Sequence, residues 1–230
     1  MTAEWLLAPL RHDRAVVLGA LAFVVVLAWV YLLLGAGMTM PAMDMDGGMA
    51  GGRTMDMGGG QMMAMPPGWT PGYGLVVFVM WAVMMVAMML PSAAPVTLLV
   101  ATIARKRAEA GGRVGLSTGL FVAGYLGVWI AFSAIATLLQ WRLNLAGLLS
   151  PAMALASALA AGIVLIAAGI YQWTPLKQAC LRHCRSPFEF LMFHWRDGTG
   201  GALMSGARHG LYCLGCCWML MALLFVGGIM

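Results

Sequence analysis

The sequence has few charged residues. Asp, Glu, Lys and Arg make up only 9% of its 230 residues, whereas soluble domains average about 25%. Hydrophobic residues make up 62%, which excludes an ordinary soluble domain and predicts that the lipid bilayer is the main partner. The net charge of +5 does not indicate nucleic acid, because the basic residues form short clusters beside apolar runs, where they act as orientation signals.

Several catalytic and transport signatures are also missing. The chain has no Gly-x-x-x-x-Gly-Lys loop, no recognisable motif of a P-type pump and no carboxylate within a confident span, so it lacks the machinery for energised transport on its own. Covalent c-type haem requires Cys-x-x-Cys-His, but Cys217 and Trp218 follow Cys216. No internal repeat supports an inverted-repeat transporter. We predict that the protein is not an enzyme.

Five apolar segments are long enough to cross the hydrocarbon core of a bilayer, which takes about 20 helical residues. The first has no convincing cleavage site and is predicted to be a retained anchor. The second contains Pro91 and Pro95, which predict a kink or a cytosolic extension. The predicted fold is an all-α polytopic transmembrane helix bundle, a single membrane domain over residues 1–230. The segments lie near Ala15–Ala36, Gly74–Ala104, Gly115–Gln140, Pro151–Trp173 and Leu203–Met230.

The distribution of Lys and Arg predicts the orientation of the bundle. Basic residues cluster before the first segment, between the second and third, and between the fourth and fifth, whereas the other two loops hold one arginine each. This pattern predicts a cytoplasmic N-terminus, an extracytoplasmic loop at 37–73 and a cytoplasmic loop at 174–202. The sequence stops at Met230 inside an apolar run without a basic flank, which favours a chain that is cut short.

The outer loop is rich in methionine. It holds ten methionines within 28 residues, including Met43 and Met45 on either side of Asp44. Because it has almost no aliphatic or aromatic residues, we expect it to be disordered when empty. Thioethers prefer Cu(I) to hard cations, and three aspartates against one arginine would attract a cation. The alternative is a low-complexity spacer that binds nothing.

A second group of methionines lies on the second apolar segment. At about 100° per residue, Met80, Met84, Met88, Pro91 and Pro95 share one face of a helix. Each proline frees a carbonyl group, which in lipid is tolerated only against protein or a wet cavity. The stripe is therefore predicted to face the bundle interior and to bind or pass a soft metal ion. The alternative is that these methionines only fill gaps in helix packing.

No cysteine occurs before residue 180, and the five present form two tight groups. The first group lies on a predicted short helix with Thr174 as its cap and Pro175 in its first turn. Cys180 and Cys184, four residues apart, share a face of this helix, with His183 beside them. Two thiolates can clamp a metal ion but do not complete a tetrahedral site.

The fifth apolar segment can supply further ligands. His209, Cys213, Cys216 and Cys217 share one side of the helix with Gly206 and Gly210, whose small size permits close approach by a neighbour. If the two groups meet, they form a Cu(I) thiolate site or a structural zinc site near the cytoplasmic side. The alternatives are cysteines that only pack in the membrane core and interfacial histidines.

Three blocks of the sequence resemble the predicted metal-binding integral membrane proteins, a bacterial family of unknown function (number 2182). The blocks lie at 80–95, 171–187 and 210–218. The resemblance implies an inner-membrane protein that binds metal. It also implies that Cys180, Cys184, Cys213, Cys216 and Cys217 match the cysteines of the family. Members of the family continue into further apolar sequence where this chain ends.

These observations predict a multi-pass protein of the bacterial inner membrane that handles Cu(I), with zinc as the alternative ion. It would transport copper or deliver it to a membrane or periplasmic copper protein. A second interpretation is a non-catalytic metal-binding subunit of a membrane copper enzyme. A third is a membrane thiol oxidoreductase, which predicts a quinone pocket beside Cys213 and Cys216. One continuous path between the methionines and the thiols favours transport, whereas two sealed sites favour a subunit.

Overall fold

The computed structural model describes residues 4–34, 54–56, 62–64, 69–108, 114–149, 155–185 and 198–227. Helix dominates this part of the chain. The helices are α1 Glu4–Leu33, α2 Pro71–Ala108, α3 Val114–Leu145, α4 Ala158–Gln172, α5 Pro175–Arg185, α6 Thr199–Ala222 and α7 Leu224–Gly227. Two short strands, β1 Thr54–Asp56 and β2 Met62–Ala64, pair antiparallel with Met55 opposite Met63. The helical class is as predicted, and the strands are a small departure from it within the methionine-rich loop.

Among the residues that the structure describes, four helical stretches are long and apolar enough to cross a membrane, and five if the bent pair α4 and α5 counts as one span. The four are Ala15–Leu33, Pro71–Arg105, Gly115–Leu145 and Thr199–Gly227. In the fourth predicted span, 151–173, the described helix is α4, which has 15 residues. At 1.5 Å per residue α4 is about 22 Å long, which is shorter than the hydrocarbon core. The chain then bends by 64° into α5.

The helices pack in the order α1, α2, α3 and α6, with α4 and α5 against α6. The closest approach is between α3 and α6, because glycines lie at their crossing. A Cβ atom added at Gly206 would overlap the carbonyl oxygen of Phe121, and one added at Gly124 would overlap that of Leu203. Gly210 approaches the Tyr125 carbonyl, with 3.1 Å from an added Cβ to the oxygen. The sequence-based prediction of close packing at Gly206 and Gly210 is confirmed.

The predicted interior stripe on α2 is correct for its methionines but not for its prolines. Met80 and Met84 are buried and Met88 is partly buried, whereas Pro91 and Pro95 are exposed. Residues spaced four apart are offset by about 40° around a helix, so a row with this spacing winds slowly around the helix axis. The buried row has this spacing, and it therefore departs from the straight stripe that was predicted to include both prolines. The buried row is Val77, Trp81, Met85, Met89, Ala93, Thr97 and Ala101.

Capping residues define the break between α4 and α5. The side chain of Ser157 accepts a hydrogen bond from the Ala160 amide at the start of α4. At the other end, the Thr174 hydroxyl donates to the Tyr171 carbonyl oxygen and accepts from the Lys177 amide. Pro175 occupies the first turn of α5 and has no N–H group to satisfy. The predicted cap and short helix are therefore present.

Candidate metal centre

Three cysteine thiols from two helices converge in the structure. The sulfur atoms of Cys184 on α5 and of Cys213 and Cys216 on α6 all lie within 4.8 Å of one another. The Cys184 and Cys216 sulfurs are 4.0 Å apart. An ion about 2.3 Å from three sulfurs in one plane would hold them about 4.0 Å apart. The three thiols are therefore close to the spacing of a trigonal thiolate site without rearrangement of the backbone.

The two remaining cysteines border this three-thiol group. The Cys217 sulfur lies 3.3 Å from that of Cys216. Cys180 lies against Gly215, where its sulfur would be only 2.7 Å from an added Cβ atom. Gly215 therefore leaves the space that Cys180 occupies against α6. Neither sulfur is among the three that lie within 4.8 Å of one another, so both cysteines flank the group without completing it.

The two predicted histidine ligands lie outside the three-thiol group. His183 stacks on Tyr212 with ring centroids 4.3 Å apart, and its Nδ1 atom donates to the Ala179 carbonyl oxygen at 2.9 Å. His209 is buried between aromatic rings, with centroids 6.0 Å from Phe121 and 5.8 Å from Tyr125. In this structure the two imidazoles contribute to packing between helices.

The thiols lie halfway along the bundle. Cys213 is the middle residue of the apolar stretch Thr199–Gly227. Val24, the middle residue of Ala15–Leu33, lines one cleft with Leu90 and Leu126 and another with Val86 and Ile130. The Tyr125 hydroxyl joins the same level of α2 and α3 to Cys213. This position differs from the expectation that the thiols lie near the cytoplasmic end.

The bend after α4 explains this position. Tyr171, near the end of α4, donates its hydroxyl hydrogen to the Gly215 carbonyl oxygen and packs its ring on Trp218. Helix α4 therefore ends beside the middle of α6. The bend turns α5 across α6 at that level and brings Cys184 to Cys216. Sequence periodicity identified both cysteine faces, but it carried no information about the bend.

The buried methionines and the thiols belong to one packed cluster. Met80, Met84, Met85 and Met89 on α2 share this core with Cys213 and Met221, and Met88, Cys184 and Cys217 pack against it. Met85, Met89 and Met221 were absent from the predicted site. The four-residue row on α2 is the signal that could have found Met85 and Met89. Predicted ligands Met43, Asp44 and Met45 lie outside the described residues.

Two apolar clefts lie along α1 and are lined by residues of α1, α2 and α3. Neither is lined by a cysteine. They therefore give no support to a quinone pocket beside Cys213 and Cys216.

Comparison with known proteins identifies the family. A family model described as copper chaperone (PpoB2) matches residues 78–230, about two thirds of the chain. The chain belongs to this copper chaperone family. The matched region contains all five cysteines and the methionines of α2. No match is found among curated proteins or among solved structures.

Proposed function

We propose that this chain is a membrane-embedded copper chaperone that holds Cu(I) between Cys184, Cys213 and Cys216. The observation that carries the proposal is the convergence of these sulfurs from α5 and α6 within 4.8 Å. Thiolates are soft ligands that select Cu(I) and zinc over hard cations. The copper chaperone description of the family and the neighbouring thioethers favour copper.

The number of thiols at the site also favours Cu(I). A structural zinc site is almost always tetrahedral with four protein ligands. The described residues bring three ligands together, which suffices for Cu(I) in trigonal coordination. Zinc would require Cys217 or a histidine to move into the group. Zinc is therefore the alternative ion that the experiment must exclude.

The methionines supply a route to the thiols. Met80 and Met84 lie on the half of α2 that leads from the methionine-rich loop, and they are buried in the cluster that contains Cys213. A thioether binds Cu(I) without deprotonation and more weakly than a thiolate, so an ion would pass along the methionines and stay at the cysteines. In this proposal Met43, Asp44 and Met45 collect the ion, and the shared cluster favours delivery over two sealed sites.

The location and the partner are part of the same proposal. The apolar helices and the basic clusters support a multi-pass protein of the bacterial inner membrane with a cytoplasmic N-terminus. The resemblance to the predicted metal-binding membrane family supports the same setting. A chaperone delivers its ion to another protein, so we propose a membrane or periplasmic copper protein as the acceptor. The chain itself would have no catalytic role.

Metal analysis of the purified full chain tests this function. The protein is loaded anaerobically with Cu(I) in detergent or nanodiscs, and copper and zinc are measured by mass spectrometry. We expect about one equivalent of copper. A variant with Cys184→Ser, Cys213→Ser and Cys216→Ser should retain none against a competing Cu(I) chelator. The matched control is Cys180→Ser, which should keep its copper. Zinc in the wild type, or copper retained by the triple variant, would contradict the proposal.

A further inference from the structure

The hydroxyl group of Tyr125 connects the thiol group to the methionine helix. Tyr125 lies in α3 and is 1% exposed. Its oxygen lies 3.3 Å from the Cys213 sulfur, 3.0 Å from the Met89 carbonyl oxygen and 3.5 Å from the Ser92 hydroxyl. The Ser92 hydroxyl also donates to the Met89 carbonyl oxygen, at 2.7 Å. One buried side chain therefore contacts both a proposed metal ligand and the backbone of α2.

A phenol hydroxyl has one hydrogen to donate, and its direction depends on the acceptors around it. In this structure the Tyr125 hydroxyl donates to the Met89 carbonyl oxygen, which can only accept. The thiol of Cys213 can then donate to the Tyr125 oxygen. The contacts thus form a chain from Cys213 through Tyr125 to Met89.

Metal binding changes the acceptors. Cysteine binds a metal as thiolate and releases its proton to solvent, so the bound Cys213 sulfur would carry no hydrogen and could only accept. Hydrogen bonds to an ionised acceptor are about twice as strong as those between neutral groups. The Cys213 sulfur then becomes a better acceptor for the Tyr125 hydroxyl than the neutral Met89 carbonyl, which keeps the hydrogen bond from Ser92.

We propose that Tyr125 is a positioning residue for the metal, which turns its O–H from the Met89 carbonyl to the Cys213 sulfur when the ion binds. The inference rests on the proposed function, because it requires Cys213 to be a ligand. The donated hydrogen bond fixes the orientation of the thiolate and stabilises its charge. The same movement removes one contact between α2 and α3, so occupation of the thiols is communicated to the methionine helix.

The test compares Tyr125→Phe with Tyr171→Phe. Residues that orient a ligand typically contribute about 10–100-fold to metal affinity, so Tyr125→Phe should weaken Cu(I) binding by that factor in competition with a chelator. It should leave the stoichiometry unchanged and move the thiolate-to-copper charge-transfer band to longer wavelength. Tyr171→Phe removes a hydroxyl that donates to Gly215 on the same α6 helix. Because Tyr171 helps to hold the end of α4 beside α6, this control should lower the affinity by less than Tyr125→Phe does, and it should leave the band unchanged.

A measurement on the wild type keeps the proposal testable if Tyr125→Phe fails to fold. The infrared difference spectrum between Cu(I)-loaded and metal-free protein should show a shift of a tyrosine C–O stretch. No tyrosine shift, or an unchanged affinity and band in Tyr125→Phe, would overturn the role of Tyr125 while leaving the copper site intact. An equal loss of affinity in Tyr171→Phe would show that the loss in Tyr125→Phe comes from altered helix packing and not from the hydrogen bond to Cys213. A wild-type protein that binds no Cu(I) overturns the site itself.

Discussion

The sulfur atoms of Cys184 and Cys216 lie 4.0 Å apart across the contact between α5 and α6. Cys180, one turn before Cys184, lies against Gly215 and is not among the three sulfurs that lie within 4.8 Å of one another. The two cysteines of α5 therefore have different environments although they share a helix face. Cys184 belongs to the three-thiol group, and Cys180 borders it.

This difference predicts unequal effects of single substitutions. Changes to residues that surround a metal ligand lower metal affinity by about 10–100-fold. Cys184→Ser removes a proposed ligand itself, so it should lower Cu(I) affinity by more than this range. Cys180→Ser should lower it by less than that range. Chelator competition on both purified variants measures the ratio. Equal losses in the two variants would show that the ion uses both cysteines of α5 and that the three-thiol group is incomplete.

Replacing Met80 and Met84 together by leucine should separate copper capture from copper retention. Each exchange nearly conserves volume, so we expect a stability cost below about 1.5 kcal/mol for each substitution. It removes two thioethers on the proposed route, so the rate of Cu(I) loading should fall while affinity at the thiols is kept. Stopped-flow absorbance of the thiolate-to-copper band measures the rate. Met204→Leu on α6, which is 53% exposed, is the control, and loading at the same rate in both variants would contradict the route.

Glycine substitutions at the crossing of α3 and α6 should destabilise the bundle. Gly206→Ala places a methyl group against the Phe121 carbonyl and Gly124→Ala places one against the Leu203 carbonyl, and overpacking of this kind costs about 1–3 kcal/mol. Gly119→Ala on α3 and Gly200→Ala on α6 have no neighbour within 4 Å. These controls should be neutral or stabilise by about 0.4–1 kcal/mol.

Thermal unfolding followed by fluorescence-detected size exclusion compares the four glycine variants. We expect Gly206→Ala and Gly124→Ala to melt at a lower temperature than the wild type, and the two controls to melt at the same temperature or higher. Unchanged melting of Gly206→Ala would mean that α3 and α6 are further apart than the structure has them.

A buried polar pair ties α2 to α3 near one end of the bundle. The Trp81 indole N–H donates to the Gln140 side-chain oxygen at 2.7 Å, and both residues are at most 1% exposed. Gln140→Met removes the acceptor and should cost about 1–3 kcal/mol. Adding Trp81→Phe removes the donor as well, and double-mutant cycles between membrane helices give couplings of about 0.6 kcal/mol. A coupling of zero in the unfolding free energies would show that the pair contributes nothing.

The four long apolar stretches could be predicted from the sequence to within about five residues, whereas α1 begins at Glu4, well before the predicted start at Ala15. Apolar length located α1, α2, α3 and α6, and the Thr174-Pro175 cap located α5. These features are local, because a hydrophobic run and a capping residue act on the segment that contains them. The shortness of α4 was not predicted, because the apolar residues before it continue the same hydropathic run.

The sequence predicted that cysteines form the candidate site, but it did not predict the position of the site along the bundle or the contact between Cys213 and Tyr125. Helical periodicity gives the face on which Cys213 and Cys216 lie, but the partner of that face depends on the 64° bend after α4. Tyr125 was missed for a different reason. A hydroxyl in the middle of an apolar span requires an acceptor inside the protein, and that signal was present in the sequence.

Because of the bend between α4 and α5, an ion bound at the proposed site would be a reversible crosslink between two parts of the chain. Cys184 is attached to α5 and the other two thiols to α6, so an ion bound at the proposed site would link these helices, and its release would remove that link. At a free ion concentration about a hundredfold above Kd, binding adds about 2.7 kcal/mol to this contact. A partner protein that touches α5 would therefore distinguish a filled chaperone from an empty one by the rigidity of a single helix.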